Sequence, residues 1–560
     1  MSKIISSRRL YLFFALAFSI PLLFFILLET GLRVAGYDDT QQLFIAPTGD
    51  TANGAYLTIN PSIARRYFPQ QGFVPQPPND LFRKQKPGNG YRIFVLGEST
   101  TGGWPYPENV MFSRLLEQRL ADAFPGKYVE VVNTGIAAVS SYTLLDFMGE
   151  ILRQKPDAIL IYAGHNEFYG ALGAASTQSL GQSRWLITSY LHLLQLRTVQ
   201  FIRNGVNEFA RRLHATSDQK PTTLMERMIG DKSIPYGSPT YQLAKANYAA
   251  NLRDILQAAN GAGVPVLISE LVSNIRDHKP FVSVDDGKNP PADIVYAQAQ
   301  VLEQAQQFDQ AKAAYTRAKD LDGMRFRAPE EFNAVIHKVA TEFNVPVVPM
   351  KSYFEKESPH GIIGASLMLE HLHPNTDGYL LMSEAFFDAM QQHKFISANW
   401  DTSKILSAAS YRQSWPVTGF DRAFGELRII SLTDHAPYPP KSPGQPSIDN
   451  FQPRNKAEEL AFKQFKGEFS YLGGHVKMAE YLEAEGKHEL ALREYYALIS
   501  AMPYSIESYL PALNARKVTP GDFEAAHRYL RQLERLDIAE PGKLAALQRV
   551  LEQQEKSAKN

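Results

Sequence analysis

Short runs of Val, Ile and Leu recur through the middle of the chain, each bounded by turn residues and followed by a stretch of helical spacing. "YRIFVL" (91–96), "YVEVVN" (128–133), "DAILIY" (157–162), "VPVLIS" (264–269) and "VPVVP" (345–349) are nearly continuous apolar runs. Strands buried on both faces of a parallel sheet read this way, whereas a half-solvated strand alternates. Between them, "MFSRLLEQRLADAF", "LLDFMGEILRQ" and "NYAANLRDILQAANGAG" carry apolar residues at helical spacing. Alternating strand and helix predicts an α/β fold, a doubly wound three-layer α/β/α sandwich over about 88–395.

The flanks break this rhythm. Lys3, Arg8 and Arg9 precede an uncharged apolar run over 10–28. A helix of roughly 20 apolar residues spans a bilayer, and positive charge on its N-terminal side places residues 1–9 in the cytoplasm. A cleaved signal peptide has a shorter apolar region and a small-x-small site. Here the run is longer and Glu29-Thr30 follows it, so an uncleaved anchor is expected, with the body of the chain periplasmic or otherwise extracytoplasmic. Residues 29–87 are rich in Pro, Gln, Asn and aromatics without clear periodicity, and read as a juxtamembrane segment laid over a domain.

Two helical insertions interrupt the α/β region. The first, about 171–241, contains "RWLITSYLHLLQLRTVQFIRNGVNEFARRLH", one or two amphipathic helices with basic residues on the polar side. A packed helical cap is the expectation; a lid or a membrane-surface contact is the alternative. In the second, about 290–325, Ala311, Tyr315 and Ala318 are spaced like the second helix of a tetratricopeptide repeat. A Pro-rich connector, "APYPPKSPGQPSIDNFQP", lies within 396–455. Beyond it, over 456–560, Ala479, Leu482, Ala491, Tyr495, Leu498 and Pro503 fit that repeat, and Gly521, Ala526 and Leu530 offer a further helix. Units of about 34 residues stack to bury their faces and present a concave surface, so a protein partner is expected there.

Composition narrows the options. With 560 residues, two or three domains are expected. At 44% hydrophobic and 21% charged the chain is globular. Lys plus Arg and Asp plus Glu both number 58, which leaves no basic surplus to suggest a nucleic-acid partner. The absence of Cys excludes disulfides, thiolate nucleophiles and Cys-based metal sites, without fixing the compartment.

The chemistry sits at the strand ends, where open α/β sheets form their ligand crevice. The first strand runs into Gly97-Glu98-Ser99, the second into "NTGIAAVSS" with Gly135, the third into "AGHNEF" with Asn166. Near the end of the domain comes "LEHLHPNTDGYLLMSEAF", with Glu370, His371 and His373. Acyl transfer by serine needs an exposed hydroxyl, a histidine base, a carboxylate to orient it and donors for the oxyanion. Ser99 fits the nucleophile, His373 the base and Glu370 the orienting carboxylate, with the N–H groups of Ser99 and Gly135 and the Asn166 amide as the oxyanion hole. Singly, each has a structural reading: Ser99-Thr100-Thr101 as a helix cap, Asn166 as a loop cap, His373 as a core histidine. Asn274, Arg276 and Asp277 follow the fourth strand, and "MRFRAP" offers Arg325 and Arg327; these five are candidate substrate contacts, or, for the arginines, salt-bridge partners. The sequence shows no His/Asp/Glu cluster with metal-ligand spacing, no P-loop and no dinucleotide fingerprint.

"GES", Gly135, "GHNE" and "EHLHPNTDGY", in that order, resemble the four ordered blocks of the SGNH (GDSL-type) hydrolase superfamily, the last matching D-x-x-H-P. The resemblance covers about 92–387. It implies a flavodoxin-like α/β/α domain acting on O-linked acyl esters, usually without metal or other cofactor. It favours His373 over His371 as the base, because the family's histidine directly precedes proline. Two departures are visible: Glu98 and Glu370 stand where the family more often has Asp. The expected protein is a membrane-anchored extracytoplasmic serine esterase removing O-acyl, notably O-acetyl, groups from envelope or secreted polysaccharide. The alternatives are an acyltransferase with the same triad, a lipase, or a catalytically silent scaffold acting through its repeats.

Overall fold

The computed structural model describes residues 7–37, 42–47, 54–68, 74–178, 181, 183–213, 223–230, 233–401, 403, 405–442, 444–513, 520–536 and 541–559. Helix α1 (Ser7–Val34) precedes three short strands, β1 (Phe44–Ile45), β2 (Tyr56–Ile59) and β3 (Leu81–Arg83). These form an antiparallel sheet inside the span whose sequence lacks periodicity. Strands this short leave no alternation to read. Phe44 and Phe82 nevertheless seat it firmly, their rings lying 5.5 and 5.6 Å from that of Phe94 in the main sheet.

The main sheet holds β4 (Gly90–Gly97), β5 (Tyr128–Asn133), β6 (Ala158–Tyr162), β7 (Val266–Ser269) and β8 (Val347–Val348). All pairings are parallel, in the order β5-β4-β6-β7-β8. This is the doubly wound sheet expected from the apolar runs. Two strands are shorter than their runs because prolines bound them: Pro265 precedes β7, and Pro346 and Pro349 flank β8, each lacking an N–H for the ladder. Helices α2 (Phe112–Ala123) and α12 (Thr376–Gln392) pack together on one face, with α11 (Met350–Glu357) against α12. Helices α3 (Ser141–Arg153), α7 (Pro239–Gly261) and α10 (Glu330–Glu342) cover the other. Ser238 caps α7, its hydroxyl accepting the Tyr241 N–H with Pro239 in the first turn, and Asn375 caps α12 by accepting the Gly378 N–H.

The first insertion forms α4 (Arg184–Leu193), α5 (Arg197–Leu213) and α6 (Leu224–Met228). The second is an antiparallel pair, α8 (Ala292–Gln304) and α9 (Phe308–Leu321), whose small core contains Ala299, Ala311, Tyr315 and Ala318. The connector is more structured than its prolines suggest. It contains α13 (Ala408–Ser414) and α14 (Gly419–Thr433), the latter opened by a capping box between Thr418 and Asp421. Phe420 and Leu427 of α14 enter a second core with Ala479, Leu482, Ala491, Tyr495, Leu498, Ala526 and Leu530 of the C-terminal helices. Pro503 and Gly521 lie at the ends of helices in that region. His475 sits buried between Glu494 (2.6 Å) and Asp421 (3.2 Å).

Two buried carboxylates brace the loops at the carboxyl ends of β4 and β6. Glu98 accepts the N–H groups of Gly164 (3.1 Å), His165 (3.1 Å) and Asn166 (3.2 Å). Glu167 accepts the Ser141 N–H (2.8 Å) and hydroxyl (2.7 Å) at the start of α3. Burial, with Glu167 nearby, pushes the Glu98 carboxyl up to about 8 against its three donors. Burial pushes Glu167 up to about 7. A carboxyl raised in the fold holds its proton there more tightly than in the unfolded chain. The stability it contributes is therefore full below about 4.5 and lost as pH rises through 7 to 8, at ~1.4 kcal/mol per pH unit for each proton held. The melting temperature should accordingly fall between pH 5 and pH 8, and Glu167→Gln should flatten that slope; thermal unfolding followed by circular dichroism across this range checks it.

Candidate active site

Strand β4 stops at Gly97, where a Cβ would collide with Thr101 Oγ1 and the Tyr162 carbonyl. Glycine lets the chain turn sharply against β6, and Thr101 Oγ1 fastens the turn by donating to Tyr162 O (2.9 Å). No helix begins at Ser99. Residues 99–106 form turns closed by Trp104 N–H to Ser99 O (3.0 Å), and the next α-helix starts only at Phe112. The helix-cap reading of Ser99 is thereby removed.

The loop before α12 meets this turn from the other side of the crevice. His373 Nε2 lies 2.7 Å from Ser99 Oγ. Its Nδ1 faces Glu370 Oε1, and its ring lies 4.4 Å from that of Trp104. Glu370 is buried and also accepts the backbone N–H groups of His371, Leu372 (3.2 Å) and His373 (3.1 Å). Burial alone would raise this carboxyl, but His371 and His373 hold it well below the ordinary carboxylate range. His371 does not reach the serine. Its Nδ1 faces Glu370 Oε2 and the Tyr438 hydroxyl (2.8 Å), and burial lowers the affinity of its ring for a second proton. Tyr438 also donates to Glu370 Oε2 (3.3 Å).

Gly135 and Asn166 line the same cavity as Ser99 and His373. Gly135 is packed so closely on the serine turn that a Cβ would lie 2.5 Å from the Gly102 nitrogen. Its N–H, however, donates to Asn133 Oδ1 (2.9 Å), so in this state it is engaged rather than open to an oxyanion. The Ser99 N–H and the Asn166 side-chain amide have no hydrogen-bond partner among the described residues.

The cavity is about 750 Å³ and largely apolar, with Trp104, Met225, Phe326, Phe424 and Leu432 among its walls. Two opposite charges interrupt it. Arg428 of α14 donates to Pro105 O (2.8 Å) with its guanidinium 5.5 Å from the Trp104 ring centre, and burial lowers its pKa to about 10. Glu108 also lines the cavity, its carboxyl raised by burial. Tyr438 and Arg428 both come from the span read as a connector, where nothing in the sequence marks them. Trp104 and Glu108 lie just past the serine block, equally unmarked.

The five candidate substrate contacts do not line this cavity. Arg327 pairs with Asp322 (3.1 Å) and donates to the carbonyls of Asn274 (2.8 Å) and His278 (3.0 Å). Arg325 is buried against Ile234 O (2.9 Å) and the Tyr241 ring. Arg276 pairs with Glu303 (2.6 Å), and Asp277 accepts the Ala365 N–H (2.7 Å). Asn274 donates its N–H to His371 O (3.0 Å) and accepts the Asp277 N–H. The segment after β7 thus runs behind the histidine loop and braces it from outside. One further expectation is corrected: Glu370, His371 and His373 do bring one ligand atom each within 4.8 Å of one another, as a metal site would require. Both Nδ1 atoms face the same carboxylate, so a cation there would displace the contact that orients His373.

No curated protein sequence matches the chain significantly. Among solved structures, an acetyl xylan esterase (AlAXEase) is similar at 12% identity and TM-score 0.28, over 53% of this chain and 98% of that one. TesA is similar at 14% identity and TM-score 0.26, over 54% and 98%. A lipase/acylhydrolase from Enterococcus faecalis is similar at 14% and TM-score 0.28, over 54% and 96%. The family model for the GDSL-like Lipase/Acylhydrolase family matches residues 95–381, just over half of the chain, from within β4 into α12. The chain therefore belongs to the GDSL-like lipase/acylhydrolase family and is a hydrolase of ester bonds.

Proposed function

We propose that Ser99, His373 and Glu370 are the catalytic triad of a serine esterase. The observation that carries this reading is the 2.7 Å approach of Ser99 Oγ to His373 Nε2, with Glu370 on the opposite ring nitrogen. His373 Nε2 takes the hydroxyl proton as Ser99 Oγ attacks the ester carbonyl. Glu370 holds the proton on Nδ1 and stabilises the imidazolium that forms. The Ser99 N–H and the Asn166 amide receive the oxyanion. Gly135 joins them when its N–H turns from Asn133, each such donor being worth about 10²–10³ in rate. His373 then protonates the departing alkoxide, and water attacks the acyl-serine by the same route in reverse. No step calls for a metal or other cofactor.

The substrate we propose is an O-acyl, notably O-acetyl, ester on an envelope or secreted polysaccharide. Support comes from α1, where Phe13–Val34 is apolar (mean hydropathy 2.2), has no buried residue among its apolar core and is long enough to cross a bilayer, although a signal sequence has the same character. An anchor with the positive residues 3–9 inside would hold the hydrolase domain in the periplasm, where such glycans lie. The C-terminal helices share a core around Ala479, Ala491 and Tyr495; read as tetratricopeptide-like pairs, they would dock a protein partner.

Ser99→Ala should abolish labelling by a fluorophosphonate probe and lower kcat for p-nitrophenyl acetate by on the order of 10⁴ or more, with the melting temperature unchanged. Retained labelling would move the nucleophile elsewhere. Tyr438→Phe should lower kcat roughly tenfold at unchanged KM, because Glu370 loses a neutral donor while its histidines remain. Steady-state kinetics on both variants check this.

A further inference from the structure

Helices α4 and α5 carry an apolar face that, Tyr37 beside Phe201 apart, the described residues leave uncovered. Trp185 is 71% exposed, Phe201 47%, Val206 61% and Phe209 65%, with Leu186, Leu193 and Ile202 exposed beside them. On α5 these residues fall at i, i+1, i+5 and i+8, one continuous stripe. An apolar stripe crowned by an exposed tryptophan is unusual on a soluble surface, where such patches mark interaction sites.

Its position relative to α1 says what covers it. Glu29, near the end of α1, accepts the N–H groups of Arg197 (3.1 Å) and Thr198 (2.8 Å) and so caps the start of α5. Arg33 donates to Gln195 O (3.3 Å) in the turn between α4 and α5. Just past α1, the Tyr37 ring lies 5.5 Å from that of Phe201, and Asn204 donates to the Tyr37 hydroxyl (3.3 Å). The apolar stripe therefore begins where the membrane-length helix ends. The span 184–212 carries Arg184, Arg197, Arg203, Arg211 and Arg212 against the single acid Glu208. Arg184 is neutralised by Asp254 and Arg197 is buried, and the basic surplus left in the sequence of α5 suits anionic headgroups.

We infer that α4 and α5 form an interfacial membrane-binding surface, lying in the headgroup region of the bilayer that α1 enters, with Trp185, Phe201, Val206 and Phe209 in the acyl boundary. Helices of this kind bury their apolar face about 5–10 Å into that boundary, and tryptophan favours that depth. The next helix, α6, supplies Leu224, Met225 and Met228 to the catalytic cavity, so this contact would fix the hydrolase domain close to the lipid surface rather than let it swing on a tether. The inference extends the reading of α1 as a retained anchor.

The test uses the full chain in liposomes of phosphatidylcholine and phosphatidylglycerol, with and without brominated phosphatidylcholine, and takes Trp185 emission as the difference from a Trp185→Phe variant. The expected result is loss of roughly half or more of that emission in brominated liposomes, as for a ring at the acyl boundary. A Phe201→Ser/Val206→Ser/Phe209→Ser chain should lose the quenching and keep its hydrolysis of a soluble ester. Equal emission in both kinds of liposome overturns the inference and leaves the face to a protein occupant. Alkaline extraction of the same liposomes reports separately on α1. If the chain is released, the anchor reading fails, and quenching of Trp185 by vesicles added to the released chain still decides the surface.

Discussion

A single buried carboxylate, that of Glu370, holds the site together. It faces both His371 and His373, accepts three successive backbone N–H groups and takes a further hydrogen bond from Tyr438. An unpaired carboxylate in such a place would cost several kcal/mol, so the loop can close only with these donors assembled around it. The arrangement that satisfies the charge is also the one that points His373 Nε2 at Ser99. The proposed catalytic geometry and burial of the charge are therefore one requirement.

Tyr438 ties this centre to the C-terminal part of the chain. Helix α14 closes the cavity with Arg428 and Phe424, while its first turn is locked to the helical region through Asp421, which is approached by His475 and by the Tyr471 hydroxyl. Tyr471 also donates to Asn109 Oδ1 (3.0 Å), close behind the serine turn. Burial works against a charge on His475, but Asp421 and Glu494 overcome it and push the imidazole up to about 9. The helical region is thus built into the wall of the cavity, to which it contributes Phe465 and Tyr471.

What could be read in the sequence follows from the range of the forces involved. β4, β5 and β6 were legible because strands covered on both faces must be apolar at nearly every position, and their ends located Ser99, Gly135 and Asn166. The small sheet of β1 to β3 was not, since it rests on a few aromatic contacts between distant segments. Tyr438 and Arg428 reach the cavity by tertiary packing from a stretch dominated by proline, which carries no local signature. Arginines near a motif suggest an anionic ligand, but Arg325 and Arg327 lie outside the cavity lining; their guanidiniums satisfy buried carbonyls and Asp322, the salt-bridge alternative in the case of Arg327. The engagement of Gly135 by Asn133, two residues away, is a local contact that the spacing alone could not distinguish from an open donor.

The most direct test is to trap the acyl-enzyme. The full chain is mixed with p-nitrophenyl acetate, quenched in acid within the first turnovers and mapped by peptide mass spectrometry. The expected result is an acetyl group on Ser99, absent from a His373→Ala chain. Steady turnover with no adduct at Ser99, or an adduct on another residue that forms equally without His373, would contradict it.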